Sequence, residues 1–407
     1  MTGSFRDVAG NPARRGGVSA VMDLLGAPLL IVAAGAALGS VLATVLVWEV
    51  EQQRHWSRWL TRAGLLLSCQ LTALLAVGLA VNNVFGFYVS WSDLLGHHQQ
   101  FAPAAVHAGA VDERYRAVLV ANWLRQRGTV VPLPIPGQLS RIPAEPAYAY
   151  LPPQYGDPAY AKRSFPVVEL LDGYPGSPRS WLQTLHLQQV LDREINAGRT
   201  VPMIAVMPTQ NVATPRDTEC TNVPHGPQVE TYLTYDVRQA VLREFRASVE
   251  RRSWAVMGYS TGGYCAINLL LHHSSLFSVA ASMSGYYSPL HDPTIGDLYG
   301  KSRKLRLYYT PIWYERHARP EPSELLVMAT RGDAPSSHLL GQFLAHLGPT
   351  VQATSFVLSR GGHNFGVWNA EEPACLDWVG HQVTAPLAAG LSVSRVRPPP
   401  VRISPSP

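Results

Sequence analysis

Trp254-Ala-Val-Met-Gly258-Tyr259-Ser260-Thr261-Gly262-Gly263 decides the fold. An apolar run of strand length enters Gly-x-Ser-x-Gly and continues as an apolar helix, which is the local pattern of a nucleophile elbow. A serine in so tight a strand-to-helix turn takes a strained backbone, and Gly258 and Gly262 lack the Cβ atoms that would keep strand and helix apart. Ser260 Oγ is thereby predicted to stand above the sheet edge. The same five-residue pattern also occurs in ordinary glycine-rich turns, so the assignment depends on residues further along the chain.

A catalytic triad on such a scaffold runs nucleophile, acid, base, with the acid and base on loops after later strands. Residues 323–330 read as a buried strand, followed by Arg331-Gly332-Asp333 and then helix-compatible sequence from Ser336 to Leu347. Asp333 is the predicted acid. The next strand, 353–358, ends in Gly361-Gly362-His363-Asn364-Phe365, which puts His363 at the same end of the sheet as the predicted base. Singly, Asp333 reads as a turn aspartate and His363 as a loop histidine; together, in this order, they argue for a triad. Should Asp333 not be the acid, Glu315 and Glu324 are next in line.

Stabilising the oxyanion of a tetrahedral intermediate requires backbone N–H groups aimed at it. Thr261, directly after the nucleophile, supplies one. The tract Phe165-Pro-Val-Val-Glu-Leu-Leu171-Asp172-Gly173-Tyr174-Pro175-Gly176 is an apolar strand breaking into Gly, Pro and Gly, and Tyr174 N–H is the second predicted donor.

Leu-Leu-Asp172-Gly173-Tyr174, the elbow, Glu230-Thr-Tyr-Leu-Thr-Tyr-Asp236 and Gly362-His363-Asn-Phe-Gly-Val-Trp368 together resemble the putative esterase family. That group includes the esterase D (S-formylglutathione hydrolase) enzymes and the antigen 85 mycolyltransferases, and the likeness spans about residues 128–390. The resemblance implies Ser260 as nucleophile, His363 as base, and Tyr174 and Thr261 as oxyanion donors. Mycolyltransferases take their acid from a glutamate further into the following helix; no acidic residue lies between Ala334 and Thr350 here, which leaves Asp333. Asp172 stands where esterase D enzymes have a histidine and resembles the mycolyltransferase aspartate near the sugar acceptor, so it is the candidate for substrate binding. The arginine that those transferases carry soon after is Pro175 here, which ranks ester hydrolysis above acyl transfer to a sugar.

At 407 residues, 46% hydrophobic and 15% charged, the chain can build one large core and a smaller appended region. A net charge of +5 is spread along the chain with no basic helix or aromatic-basic interleaving, which excludes a nucleic-acid-binding reading. The expected fold class is α/β: an α/β-hydrolase with a mostly parallel central sheet flanked by helices, preceded by two transmembrane helices. Strands are predicted at 165–171, 202–207, 254–258, 278–283, 324–329 and 353–358, with edge strands within 128–135 and at 147–151, where prolines are tolerated.

Residues 24–48 and 63–91 carry no charge, and each run exceeds the roughly 20 apolar residues that cross a bilayer. Residues 1–92 therefore read as a tail and two transmembrane helices, about 24–48 and 63–89. Their richness in Gly and Ala suits close pairing. A cleaved signal peptide fits less well, because the first run is long and a second span follows at once. Arg54, Arg58 and Arg62 in the connecting loop balance Arg6, Arg14 and Arg15 in the tail. A start at Met22 would remove the tail arginines and place the loop in the cytoplasm, with the catalytic domain outside. Trp48, Trp56, Trp59 and Trp91 read as interfacial anchors. Residues 93–127 form a tether with a helix over 113–125, resting on the domain or the membrane; 128–390 are the hydrolase domain and 391–407 a Pro-rich tail.

Cys69 lies in a span and Cys265 reads as a small buried hydrophobe on the elbow helix. Cys220 and Cys375, both toward the active-site end, are the possible disulfide of an oxidising compartment. His272 and His273 read as helix-surface residues, and His338 and His346 lack ligand partners nearby, so neither metal nor cofactor is expected. The predicted function is hydrolysis of a small-molecule or lipid ester through an acyl-enzyme. The alternatives are an envelope acyltransferase and, from a different class, a non-catalytic binding protein on the same fold.

Overall fold

The computed structural model describes residues 27–50, 55–85, 91, 110–317 and 319–383. The tail arginines, Met22, Arg54, most of the tether before residue 110 and the Pro-rich tail lie outside them.

Eight strands build one sheet: β1 Thr129–Pro132, β2 Tyr148–Leu151, β3 Val167–Leu171, β4 Ile204–Met207, β5 Trp254–Tyr259, β6 Val279–Met283, β7 Ser323–Thr330 and β8 Val351–Leu358. Their spatial order is β1-β2-β4-β3-β5-β6-β7-β8. Only β2 runs against its neighbours; every other pairing is parallel. Parallel sheets need cover on both faces, and every residue of β3, β4, β5 and β6 is buried. This is the expected α/β-hydrolase arrangement, with β5 starting at the predicted residue and the other strands one or two residues from theirs. The late starts of β3 and β4 follow Pro166 and Pro202, which cannot donate to the ladder.

The N-terminal region contributes α1 Ala27–Val50, α2 His55–Phe85 and α3 Ala110–Leu124. Around the sheet lie α4 Pro178–Gln183, α5 Leu187–Asn196, α6 Val237–Glu244, α7 Thr261–His272, α8 Arg303–Tyr308, α9 Pro311–His317, α10 Ala334–Ser337, α11 Leu340–His346 and α12 Phe365–Gln382. On one face, α6, α7 and α11 bury Val237, Val241, Ile267, Leu270 and Phe343 against the sheet. On the other, α5 and α12 bury Leu191, Ile195, Trp368, Leu376 and Val379. Ten consecutive residues of α7 after Thr261 are buried, so the elbow helix is packed on all sides and Ser260 is anchored at its start.

Helices α1 and α2 form an antiparallel pair whose apolar stretches, Ala27–Trp48 and Trp59–Asn83, are long enough to cross a membrane. Ala33 and Leu79 pack at their seam. The hydroxyls of Ser40 and Thr72 are 2.9 Å apart and Thr44 Oγ1 is 3.1 Å from Cys69 Sγ, so small polar side chains link the two helices. Arg62 ties α2 to the end of α1, donating to Trp48 O at 3.0 Å with its guanidinium over the Trp48 ring. Helix α3 rests on the domain, because Leu119 joins the main core and Gly156 abuts the Leu119 carbonyl closely enough that a Cβ would overlap it.

Candidate active site

Ser260 follows β5 and precedes α7 with φ 55° and ψ −125°, a region that costs a non-glycine residue of order 1–3 kcal/mol. The surrounding packing holds it there. A Cβ on Gly258 would overlap the Gly262 carbonyl, and one on Gly262 the Leu171 carbonyl. Ser260 N–H donates to Met283 O at 2.9 Å, which ties the turn to β6.

Asp333 leaves the end of β7 and His363 the end of β8, both at the edge where β5 ends in Ser260. Ser260 Oγ lies 2.7 Å from His363 Nε2, and His363 Nδ1 lies 2.9 Å from Asp333 Oδ2. Because Asp333 Oδ2 also accepts from Ser336 Oγ at 2.6 Å, the carboxylate is fixed from two sides. Burial pushes the Asp333 carboxyl up, but the hydrogen bonds from His363 and Ser336 outweigh it and leave it below its ordinary value. The acid therefore stays ionised beside the imidazole. Trp368 meets the His363 ring edge-on at 5.1 Å and packs against Tyr259, so α12 confines the imidazole from behind. Glu315 instead accepts from Gly348 N–H at 2.6 Å, and Glu324 sits at the far end of β7, so neither replaces Asp333.

Gly173-Tyr174-Pro175-Gly176 turns directly over the elbow. Gly176 N–H donates to Gly173 O at 2.7 Å, and Tyr174-Pro175 is a cis peptide. Thr261 opens α7, where the first N–H groups have no intrahelical acceptor. The two predicted oxyanion donors thus flank Ser260 on separate elements.

Asp172 is placed differently from the expectation that it meets substrate. Its side chain is fully buried beneath the loop. Its Oδ2 accepts from Asn211 Nδ2 at 2.8 Å, and that amide also reaches Gly173 O at 3.1 Å and Gly176 O at 2.8 Å, while Gln210 Nε2 donates to Asp172 O. The aspartate thus braces the loop from below. Burial drives its carboxyl up to about 8.

A second wall escaped the sequence reading. Residues 208–228 and 284–302 lean together over α7, and Asp217 Oδ2 accepts from Thr261 Oγ1 at 3.2 Å. Glu219 is caged by Tyr286 OH at 2.9 Å, Leu290 N–H at 3.0 Å and Tyr299 OH at 3.3 Å. The expected Cys220–Cys375 pairing is replaced by Cys220–Cys265. Cys375 is a buried thiol beside Met328 on the opposite face of the sheet, so the sheet itself separates it from Cys220. The bridge fastens the Asp217 loop to the elbow helix. The run Asp217-Thr-Glu219-Cys220 offered no periodicity to flag it; only the fold brings Cys265 and Thr261 beneath it.

His272 and His273 are also corrected. The His272 side chain is wholly buried and that of His273 is 17% exposed. Both bond Glu230, at 2.9 and 2.8 Å, because α8 and α9 cover the end of α7. Among the described residues no group of three or more His, Cys, Asp or Glu could hold a metal ion.

The family model described as Putative esterase matches residues 145–371, more than half of the chain. The chain belongs to that family. It is therefore a carboxylic ester hydrolase, and the reading as a non-catalytic binding protein is set aside. An uncharacterised protein of Corynebacterium glutamicum is 26% identical over 303 residues, covering 68% of this chain and 67% of that protein. Among solved structures, a ferulic acid esterase superposes with TM-score 0.54 at 20% identity, covering 62% of this esterase and 97% of that chain. An S-formylglutathione hydrolase from Agrobacterium tumefaciens gives TM-score 0.53 at 16% identity, covering 63% and 96%. At these identities the two structures speak for the fold alone.

Proposed function

We propose that this esterase is anchored by α1 and α2 and cleaves its substrate through a covalent acyl-enzyme on Ser260. The relay Ser260–His363–Asp333, with contacts of 2.7 and 2.9 Å, is the observation that carries the reading. Asp333 accepts Nδ1–H, which leaves the Nε2 lone pair toward Ser260 Oγ. His363 takes the serine proton as Oγ attacks the ester carbon, and the carbonyl electron pair moves onto oxygen, facing Tyr174 and Thr261 N–H. Collapse expels the alcohol, protonated by His363; water then attacks the acyl-enzyme by the same route.

Hydrolysis is favoured over sugar acylation because the Asp172 carboxyl is fully buried under the loop and bonded to Asn211. A disulfide at the active-site wall fits an oxidising compartment, which supports a domain outside the cytoplasm. Labelling of membrane fractions with a fluorophosphonate tests the mechanism. Wild type should be labelled and Ser260→Ala should not; a folded wild type that stays unlabelled overturns it.

A further inference from the structure

The wall formed by residues 217–220 touches the site at its most charge-sensitive point. Thr261 is one of the two oxyanion donors under the proposed mechanism, and its hydroxyl rests on Asp217 Oδ2 at 3.2 Å, with Tyr286 OH 3.5 Å away. Asp217 is held rigidly. Its Oδ1 accepts from Glu219 N–H at 2.9 Å, its own N–H donates to Thr294 O at 3.2 Å, and the chain three residues on is bridged to α7 through Cys220–Cys265.

Among the described residues no ion pair involves Asp217. The adjacent Arg216 is committed to carbonyls, donating to Ile295 O at 2.9 Å and Asp297 O at 2.7 Å. The ionisable groups that act on Asp217 or feel its charge are Asp292, Glu219, Asp172, Tyr174 and Tyr286, none of them a cation. A buried charge is poorly screened, so its field extends to any charged group on the substrate near the reacting carbonyl.

We propose that Asp217 is a positioning and specificity-determining residue, which orients Thr261 through its hydroxyl and makes the pocket reject esters carrying an anionic group close to the carbonyl, in favour of neutral or cationic ones. This rests on the Ser260 mechanism, and the test separates the two.

The measurement is kcat/KM for p-nitrophenyl butyrate and for mono-p-nitrophenyl succinate at pH 8, using the detergent-solubilised full chain. Wild type should prefer the neutral ester by well over tenfold. Asp217→Asn, and independently Asp217→Ser, which keeps an oxygen for Thr261 without the charge, should each narrow that preference by about tenfold. A ratio of two substrates cancels any loss of folded enzyme. If both variants lose activity equally toward the two esters, Asp217 only supports the loop and the proposal is overturned. A wild type without preference overturns it as well. Should Ser260→Ala keep its turnover, the nucleophile assignment fails, whereas the effect of Asp217 on the ratio is still read from its own variants.

Discussion

Gly173 leaves no room for a side chain over Ser260: a Cβ built on it would stand 2.9 Å from Ser260 Cβ and 3.0 Å from the Tyr259 ring. The oxyanion loop and the nucleophile can approach this closely only because one of the two has no side chain. In Gly173→Ala the loop must lift, carrying Tyr174 N–H with it. Loss of one oxyanion donor costs about 10²–10³ in kcat. Steady-state kinetics on a folded Gly173→Ala should show a fall in that range with a smaller change in KM, and a near-wild-type kcat would remove Tyr174 from the oxyanion site.

The relay makes graded predictions. Ser260→Ala and His363→Ala should each lower kcat about 10³-fold or more on a short p-nitrophenyl ester. Asp333→Asn should cost less than either, since Ser336 and the packing of Trp368 still hold the site. An undiminished rate in Asp333→Asn would move the acid elsewhere.

Stability should depend on pH through carboxyls the fold has buried. Burial raises Asp172 and Glu219 to about 8, Glu371 to about 7 and Asp217 to about 6. Each keeps its proton in the folded chain at pH values where the unfolded chain, with carboxyls near ~4, has lost it. Their contribution is complete below the unfolded value and declines as pH rises toward 8. Glu230 behaves oppositely: burial opposes its charge, but hydrogen bonds from His272 and His273 win and lower it, so its stabilisation is lost on acidification. Scanning calorimetry should therefore find a higher midpoint at pH 5.5 than at pH 8.5. A midpoint that climbs steadily to pH 8.5 would contradict these assignments.

The Cys220–Cys265 bridge closes a loop with a sequence separation of 45. Loop-closure entropy for that length gives up to about 4 kcal/mol, and measured values commonly fall at about 2–4. Cys220→Ser should lower the unfolding free energy by that amount in urea titrations. An equal loss in Cys375→Ser, by a comparable mechanism, is not expected because that thiol is unbridged. Equal urea midpoints for wild type and Cys220→Ser would show the bridge absent from the purified protein.

Orientation is open to direct measurement. With the domain outside, an impermeant maleimide on intact cells should label a cysteine placed at Ser404 and spare one placed at Ser57. The reverse pattern would put the esterase in the cytosol.

The order of Ser260, Asp333 and His363, the Gly-rich turn at Gly173 and the two long apolar helices were legible along the chain, because each is a local constraint: a strand that must end in glycine, a loop that must follow it, an apolar run long enough for a helix that could cross a bilayer. Contacts between elements distant in sequence were not. Cys220 pairs with Cys265 rather than Cys375 because the sheet lies between the latter two, and no spacing of cysteines encodes which face a helix covers. Asp172 was placed at the correct turn but on the wrong side of it, since only the packing of Asn211 beneath the loop turns its carboxyl inward. His272 reads along the chain as a helix-surface residue, but α8 and α9, arriving from more than thirty residues later, cover it. Local sequence set where the reactive groups sit on their own strands; which buried acid faces Thr261 was decided by two loops meeting across the end of the sheet.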